Sequence, residues 1–186
     1  MKHATIANIL PILLLAPLAA VHAAETKSPL KVFILAGQSN MEGQAAADLE
    51  GKDYNQGRGT LIFLMKDPVK GPLFKHLKDD KGQWAVRDDV WVRYKLEDGP
   101  VKAGLLTLGF TPYGGRHHFG PELQFGWVVG DYYANQILLI KTAWGGKSLY
   151  KDFRPPSSGG QIGPYYAKMI ADVREALTNL KNDFPS

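Results

Sequence analysis

The chain contains no cysteine. That excludes a disulfide framework, a zinc–thiolate site and a cysteine nucleophile, and it leaves the fold resting on its apolar core. Strong charge of one sign is missing too: the formal net charge is +4 over 186 residues, and no run of Lys or Arg exceeds two. A nucleic-acid-binding surface needs a denser basic stripe, so nucleic acid is not an expected partner. Internal repeats and low-complexity tracts are lacking. No His/Asp/Glu cluster has metal-ligand spacing and no H-E-x-x-H pattern occurs, so neither a metal nor an organic cofactor is expected. What remains is a chain that is 45% hydrophobic, enough to build one core.

The longest apolar stretch stands at the start. Met1-Lys2-His3 gives a short positive opening, Ile6 to Ala20 is apolar, and Val21-His22-Ala23-Ala24 offers small-residue cleavage chemistry. This is the pattern of a secretory signal peptide over residues 1–24, too short and too quickly followed by polar sequence for a membrane span. It predicts a secreted or periplasmic protein with no integral span once the signal is removed. Residues 25–186 then suit one domain.

Leu30-Lys31-Val32-Phe33-Ile34-Leu35-Ala36 and Ile137-Leu138-Leu139-Ile140 are nearly continuous apolar runs. Such runs read as strands buried on both faces, as in a parallel sheet. Residues 48 to 112 read as an irregular insertion. It holds a short helix near Leu73–Lys78 and a hairpin pairing Val90–Lys95 with Leu105–Leu108. Gly120-Pro121-Glu122 opens a helix with Pro at its first position and an acid in its first turn. A second helix follows from Tyr165 to Leu180, with apolar residues at helical spacing. The order strand, loop, helix, strand, loop, helix predicts a three-layer α/β/α fold with a mainly parallel sheet. Ligands of such sheets bind beyond the carboxyl ends of the strands. The Gly-rich loops at 37–43 and 145–146 both fall there.

Ser39 lies just past the first strand, between Gly37 and Gly43. A serine on a tight strand-to-helix turn projects its hydroxyl outward, beside backbone N–H groups able to hold an oxyanion. Spacing alone fits a helix-capping serine equally well. The wording of the segment adds to it. Phe33-Ile34-Leu35-Ala36-Gly37-Gln38-Ser39-Asn40-Met41-Glu42-Gly43 resembles the first block of the SGNH-hydrolase superfamily in its sialate O-acetylesterase branch, also described as carbohydrate esterase family 6. Gly120-Pro121-Glu122-Leu123-Gln124-Phe125-Gly126 and the strand leading into Ala143-Trp144-Gly145-Gly146 are similar to further family segments. The resemblance implies a flavodoxin-like sheet and a serine esterase that removes acetyl groups from sugars. It maps the nucleophile onto Ser39, and the oxyanion donors onto the Ser39 amide and one of Gly145 and Gly146. Gln38, Asn40, Glu122, Trp144 and Lys147 are the candidate substrate contacts.

The family's Asp-x-x-His block has no counterpart, since no Asp here has His three residues later. The catalytic Asp and His are therefore expected beyond residue 186, leaving the sheet incomplete on its C-terminal side and this stretch inactive by itself. His117 and His118 sit in a Gly/aromatic loop and read as surface or substrate-contacting; His76 reads as solvated. Gly145-Gly146-Lys147-Ser148 ends like a phosphate-binding loop, but Lys141 occupies the position of its first glycine and no helix follows directly. Trp144, Tyr150 and Phe153 are either a platform for a sugar or ordinary loop packing. The expected function is an exported carbohydrate O-acetylesterase acting on acetylated polysaccharide or sialic acid. Its rivals are a lipid or aryl esterase on the same scaffold and a non-catalytic exported carbohydrate-binding protein.

Overall fold

A computed structural model describes residues 28–184, so the signal-peptide expectation for residues 1–24 lies outside the described residues. The first apolar run forms β1 (Lys31–Gly37), followed at once by a one-turn helix, α1 (Ser39–Glu42), and a two-residue strand, β2 (Ala45–Ala46). A short helix, α2 (Leu61–Met65), is capped by Thr60, whose side chain accepts from the Phe63 N–H. The segment expected as a helix near 73–78 is a tighter 3-10 stretch, Gly71–Leu77.

β3 (Arg87–Lys95) and β4 (Val101–Leu106) form the expected hairpin, and β5 (His118–Phe119) pairs antiparallel with β2. Then come α3 (Pro121–Tyr132), β6 (Ile137–Ala143), α4 (Pro164–Thr178) and the short α5 (Leu180–Asp183). The main sheet has the order β1-β6-β3-β4, with β6 parallel to both β1 and β3, and β4 antiparallel at one edge. The hairpin read as part of an insertion thus supplies half of the main sheet. Its period-two pattern hid this, because Val90 and Val92 face one core while Arg93, on the other face, is neutralised by Glu175 of α4 at 2.8 Å.

Alternation along β6 sorts the two faces. Ile137 and Leu139 join Leu35, Val90, Val92, Leu106 and the α3 residues Leu123 and Val129. Leu138 and Ile140 pack with Ala176 and Val173 of α4. Helices on opposite faces of a mainly parallel sheet make the three-layer α/β architecture. Every residue of β6 is buried. β1 differs: it lies at the sheet edge, and Val32 and Ile34 on its α4 side are 38% and 51% exposed. The expectation of burial on both faces is met by β6 and only by the Phe33–Leu35 side of β1.

Candidate active site

The register of β1 on β6 pairs Gly37 with Ala143, so the two loops that follow leave the sheet at the same level. The Trp144 N–H donates to the Gly37 carbonyl at 3.3 Å and stitches them together. Just beyond, Gly145 packs against α1: a Cβ placed there would stand 2.8 Å from Glu42 Oε2. A larger residue there would have to displace that carboxylate. Gly146 has φ +72°, a left-handed conformation that favours glycine, and its missing Cβ faces open space. The two glycines therefore do different things. One admits the turn to α1, and the other bends the turn.

Ser39 is the first residue of α1 and is partly exposed; its Oγ donates to Gln38 Oε1 at 3.3 Å. Gln38 and Asn40 are exposed beside it. Helix starts leave their first N–H groups without intrahelical acceptors. Here the Met41 and Glu42 N–H groups both turn to the Gln38 carbonyl, leaving those of Ser39 and Asn40 outside the turn's own bonding.

A buried cation holds this arrangement from beneath. Lys141, in the middle of β6, donates at 2.7 Å to the Glu42 carbonyl, the Phe110 carbonyl and Glu122 Oε2. Glu122 in turn accepts the Gly120 N–H at 2.9 Å. One ammonium thus ties the end of α1, the loop after β4 and the start of α3. Burial pushes the Lys141 ammonium below the usual lysine range, and the Glu122 charge opposes that push. Tyr94 of β3 adds a second tie, donating to the Ala143 carbonyl at 2.9 Å with Glu42 Oε1 at 3.4 Å. Burial, and then the Glu42 charge, push its phenol well above the tyrosine range, so it stays a donor.

Two of the expected substrate contacts are corrected by this geometry. The Glu122 side chain is 0% exposed and committed to Lys141 and Gly120, so it has no surface to offer a ligand. An acid in a first helical turn signals either a dipole partner or a contact, and only the long-range lysine decides between them. Trp144 is also 0% exposed. Its Nε1 donates to the Lys95 carbonyl at 3.3 Å, and its ring stacks on Phe153 at 6.0 Å and against Tyr165 at 5.5 Å. Of the three aromatics proposed as a platform, only Tyr150 is open, at 81% exposure.

Lys147 is on the rim but engaged, pairing with Glu97 at 2.9 Å and lying 4.4 Å over the Tyr165 ring. Tyr165 also donates to Glu97. Because Glu97 follows β3 and Lys147 follows β6, this pair braces the glycine turn from the side away from α1. The Tyr165 hydrogen bond, ahead of those from Lys147, holds the Glu97 carboxyl below its usual value.

His117 Nδ1 is 2.8 Å from Asp48 Oδ1, and Trp84 Nε1 donates to Asp48 Oδ2 at 3.1 Å. Burial raises the Asp48 carboxyl, but the His117 and Trp84 hydrogen bonds outweigh it and leave it below the usual value. His118 packs on Tyr113 at 4.4 Å. His76, expected as solvated, bonds Gln124 Oε1 at 3.1 Å and rests on Trp127 at 5.0 Å. The roles of Lys141, Glu42, Tyr94 and the Asp48–His117 pair were not read from the sequence. The one signal available was a lysine at the end of a long apolar run, which calls for a buried partner.

Among the described residues no helix is long and apolar enough to cross a membrane, and none gathers with others into a group of three His, Asp or Glu able to hold a metal. No curated protein sequence matches the chain. A solved structure of an Arabidopsis thaliana protein resembles it with TM-score 0.42 and 17% identity, over 80% of this chain and 52% of that one. The chain thus spans about half the length of that relative. A family model described as carbohydrate esterase, sialic acid-specific acetylesterase, matches residues 29–183, and the chain belongs to that family of carbohydrate esterases.

Proposed function

We propose that the chain carries the nucleophile of an exported carbohydrate O-acetylesterase, Ser39. The observation that carries this reading is the seat of Gly145 on Glu42. Ser39 and Glu42 stand three residues apart on one helical turn and so share a face. The Gly145 turn therefore lies alongside the serine, which favours Gly145 over Gly146 as the second oxyanion donor.

In this mechanism Ser39 Oγ attacks the acetyl carbonyl carbon while its proton passes to a histidine base. The carbonyl oxygen becomes an oxyanion held by the Ser39 and Gly145 N–H groups. Collapse expels the sugar hydroxyl, which takes the proton back, and leaves acetyl-Ser39 for water to hydrolyse. His117 gives its Nδ1 to Asp48 while the Ser39 hydroxyl bonds Gln38. The base in this reading is a histidine oriented by an aspartate. Residues 1–24 act as an export signal, which places the enzyme outside the cytoplasm with acetylated carbohydrate as its substrate.

A fluorophosphonate probe tests the nucleophile. Adduct on Ser39 of the protein, abolished by Ser39→Ala, is the expected result. Absence of adduct would favour a non-catalytic carbohydrate-binding role. Acetate release from acetylated xylan or O-acetylated sialic acid, set against hydrolysis of long-chain esters, separates the sugar esterase from a lipid or aryl esterase.

A further inference from the structure

From the cap of α2 to the end of the 3-10 stretch, residues 60–78, the chain carries Lys66, Lys70, Lys75 and Lys78 against one acid, Asp67. That segment therefore holds +3 of a net charge of +4. It also leaves three large apolar side chains in water: Phe63 is 49% exposed, Val69 80% and Leu73 68%. Lys66, Lys70 and Lys75 are exposed among them. Among the described residues none of these three lysines makes an ion pair, and Asp67 acts on Lys70 only across the turn. Lys78 is engaged, lying 3.4 Å over the Trp84 ring.

The segment is firmly built. Asp67 Oδ1 accepts the Val69 and Lys70 N–H groups, each at 2.8 Å, and the Gly71 N–H returns to the Asp67 carbonyl at 2.8 Å. A Cβ on Gly71 would run into the Met65 carbonyl, so glycine lets the turn fold back on the end of α2. Leu61 and Leu77 are buried in the main core, and Met65 and Phe74 pack against it. With those positions filled from within, Phe63, Val69 and Leu73 are the apolar side chains turned away from the body. Their ordering cost is already met, as a binding surface requires.

Exposed apolar side chains rimmed by charge mark an interaction surface, and here the charge selects the partner. An acidic polymer would satisfy the lysines and gain nothing from Phe63, Val69 or Leu73. A bilayer bearing anionic headgroups takes both, because the apolar side chains enter the headgroup–acyl boundary while the ammonium groups stay at the phosphates. We infer that the hairpin of α2 and the 71–77 stretch docks the protein on an anionic phospholipid surface. Val69 and Leu73 enter first, Phe63 beside them, and Lys66, Lys70 and Lys75 supply the attraction. None of these residues belongs to the Ser39–Gly145 site, so the inference stands independently of the esterase reading.

The absence of cysteine supplies the test, because Val69→Cys in the full chain takes a single nitrobenzoxadiazole label at the tip of the turn. Leu149→Cys, at another exposed position outside the segment, is the reference. Two labels on the same chain separate this surface from attachment through residues 1–24. With vesicles of phosphatidylglycerol and phosphatidylcholine in equal parts, the label at 69 should brighten and shift to the blue. The label at 149 should stay in water, and vesicles of phosphatidylcholine alone should move neither. Replacing Lys66, Lys70 and Lys75 together by Gln should raise the lipid midpoint about 100-fold, at roughly fivefold per lysine. Leu73→Ser should raise it about tenfold. All four side chains are exposed, so these changes leave the fold alone. An unchanged label at 69, equal shifts at 69 and 149, equal response to neutral vesicles, or a triple variant with the parent's midpoint would overturn the inference. So would charge-dependent binding of polygalacturonate without binding of the vesicles, which would give the surface to an acidic polymer.

Discussion

Replacing Glu122 by Gln is the sharpest test of what holds the site in place. Glu122 and Lys141 touch at 2.7 Å, and both side chains are fully removed from solvent. Gln keeps the shape and one acceptor, so the Gly120 N–H remains satisfied. The other end changes: an amide faces the Lys141 ammonium where a carboxylate stood, and the cation keeps only the Glu42 and Phe110 carbonyls. Breaking one side of a buried pair costs about 3–5 kcal/mol, because it strands a charge rather than merely deleting an attraction. A domain has roughly 5–15 kcal/mol of stability in all, so the loss is a large share of it.

The assay is urea denaturation followed by tryptophan fluorescence, with the slope against denaturant checked for constancy. The double variant Glu122→Leu/Lys141→Met separates charge from packing. It removes both charges, a change that is often neutral by itself. It also orphans the Glu42 and Phe110 carbonyls and the Gly120 N–H, each at about 1–3 kcal/mol. The double variant should therefore recover little, unlike an ion pair whose two members bond only each other. A loss below about 1 kcal/mol for Glu122→Gln, the size of one ordinary hydrogen bond, would refute the charged hub.

Three further outcomes are expected. Gly145→Ala puts a methyl 2.8 Å from Glu42 Oε2, so the turn or Glu42 must shift; fluorophosphonate labelling of Ser39 should fall by about 100-fold, the cost of roughly 1 Å of misplacement, while Gly146→Ala acts through the strain of its positive φ. Ser39→Ala should leave the urea midpoint unchanged, since that hydroxyl's bond is to its neighbour Gln38; a clear drop would mean the serine is structural. The Asp48 carboxyl is held below its usual 3.8, so its tie to His117 and Trp84 stabilises the fold above that value and is lost as pH falls through the lower folded one. Below about pH 4, Asp48→Asn should therefore lose less stability per pH unit than the parent, and identical acid unfolding curves would show that the tie contributes nothing.

The parts of the fold that could be read ahead of the structure are those governed by short-range rules. β6 announces itself by an apolar run, and α3 by Gly120-Pro121-Glu122. The meeting of the Ser39 and Gly145 loops also followed, because parallel strands send all their carboxyl ends to one edge. Where pairing partners decide, the reading stopped short. β1 and β6 have nearly the same composition, but β6 has a strand on each side and helices above and below, while β1 is flanked on one side only. No pattern within seven residues of β1 distinguishes the two situations.

The same limit explains the errors at the site, and it bears on how the site works. Glu122 and Trp144 look like ligand contacts because they sit next to the glycine turns in sequence, yet both point inward. Glu122 meets Lys141, and Trp144 meets Phe153 and Tyr165. Their work is done on neighbouring backbone. Lys141 fixes the carbonyl that ends α1, Tyr94 fixes the carbonyl before the Gly145 turn, and the Lys147–Glu97 pair braces that turn from outside. The oxyanion site proposed above is built of amides and cannot be tuned by changing its own side chains, so its precision must come from groups like these that hold the backbone. Lys147→Met should accordingly leave Ser39 in place and slow its reaction with the fluorophosphonate. If labelling is as fast in that variant as in the parent, the brace has no part in aligning the turn.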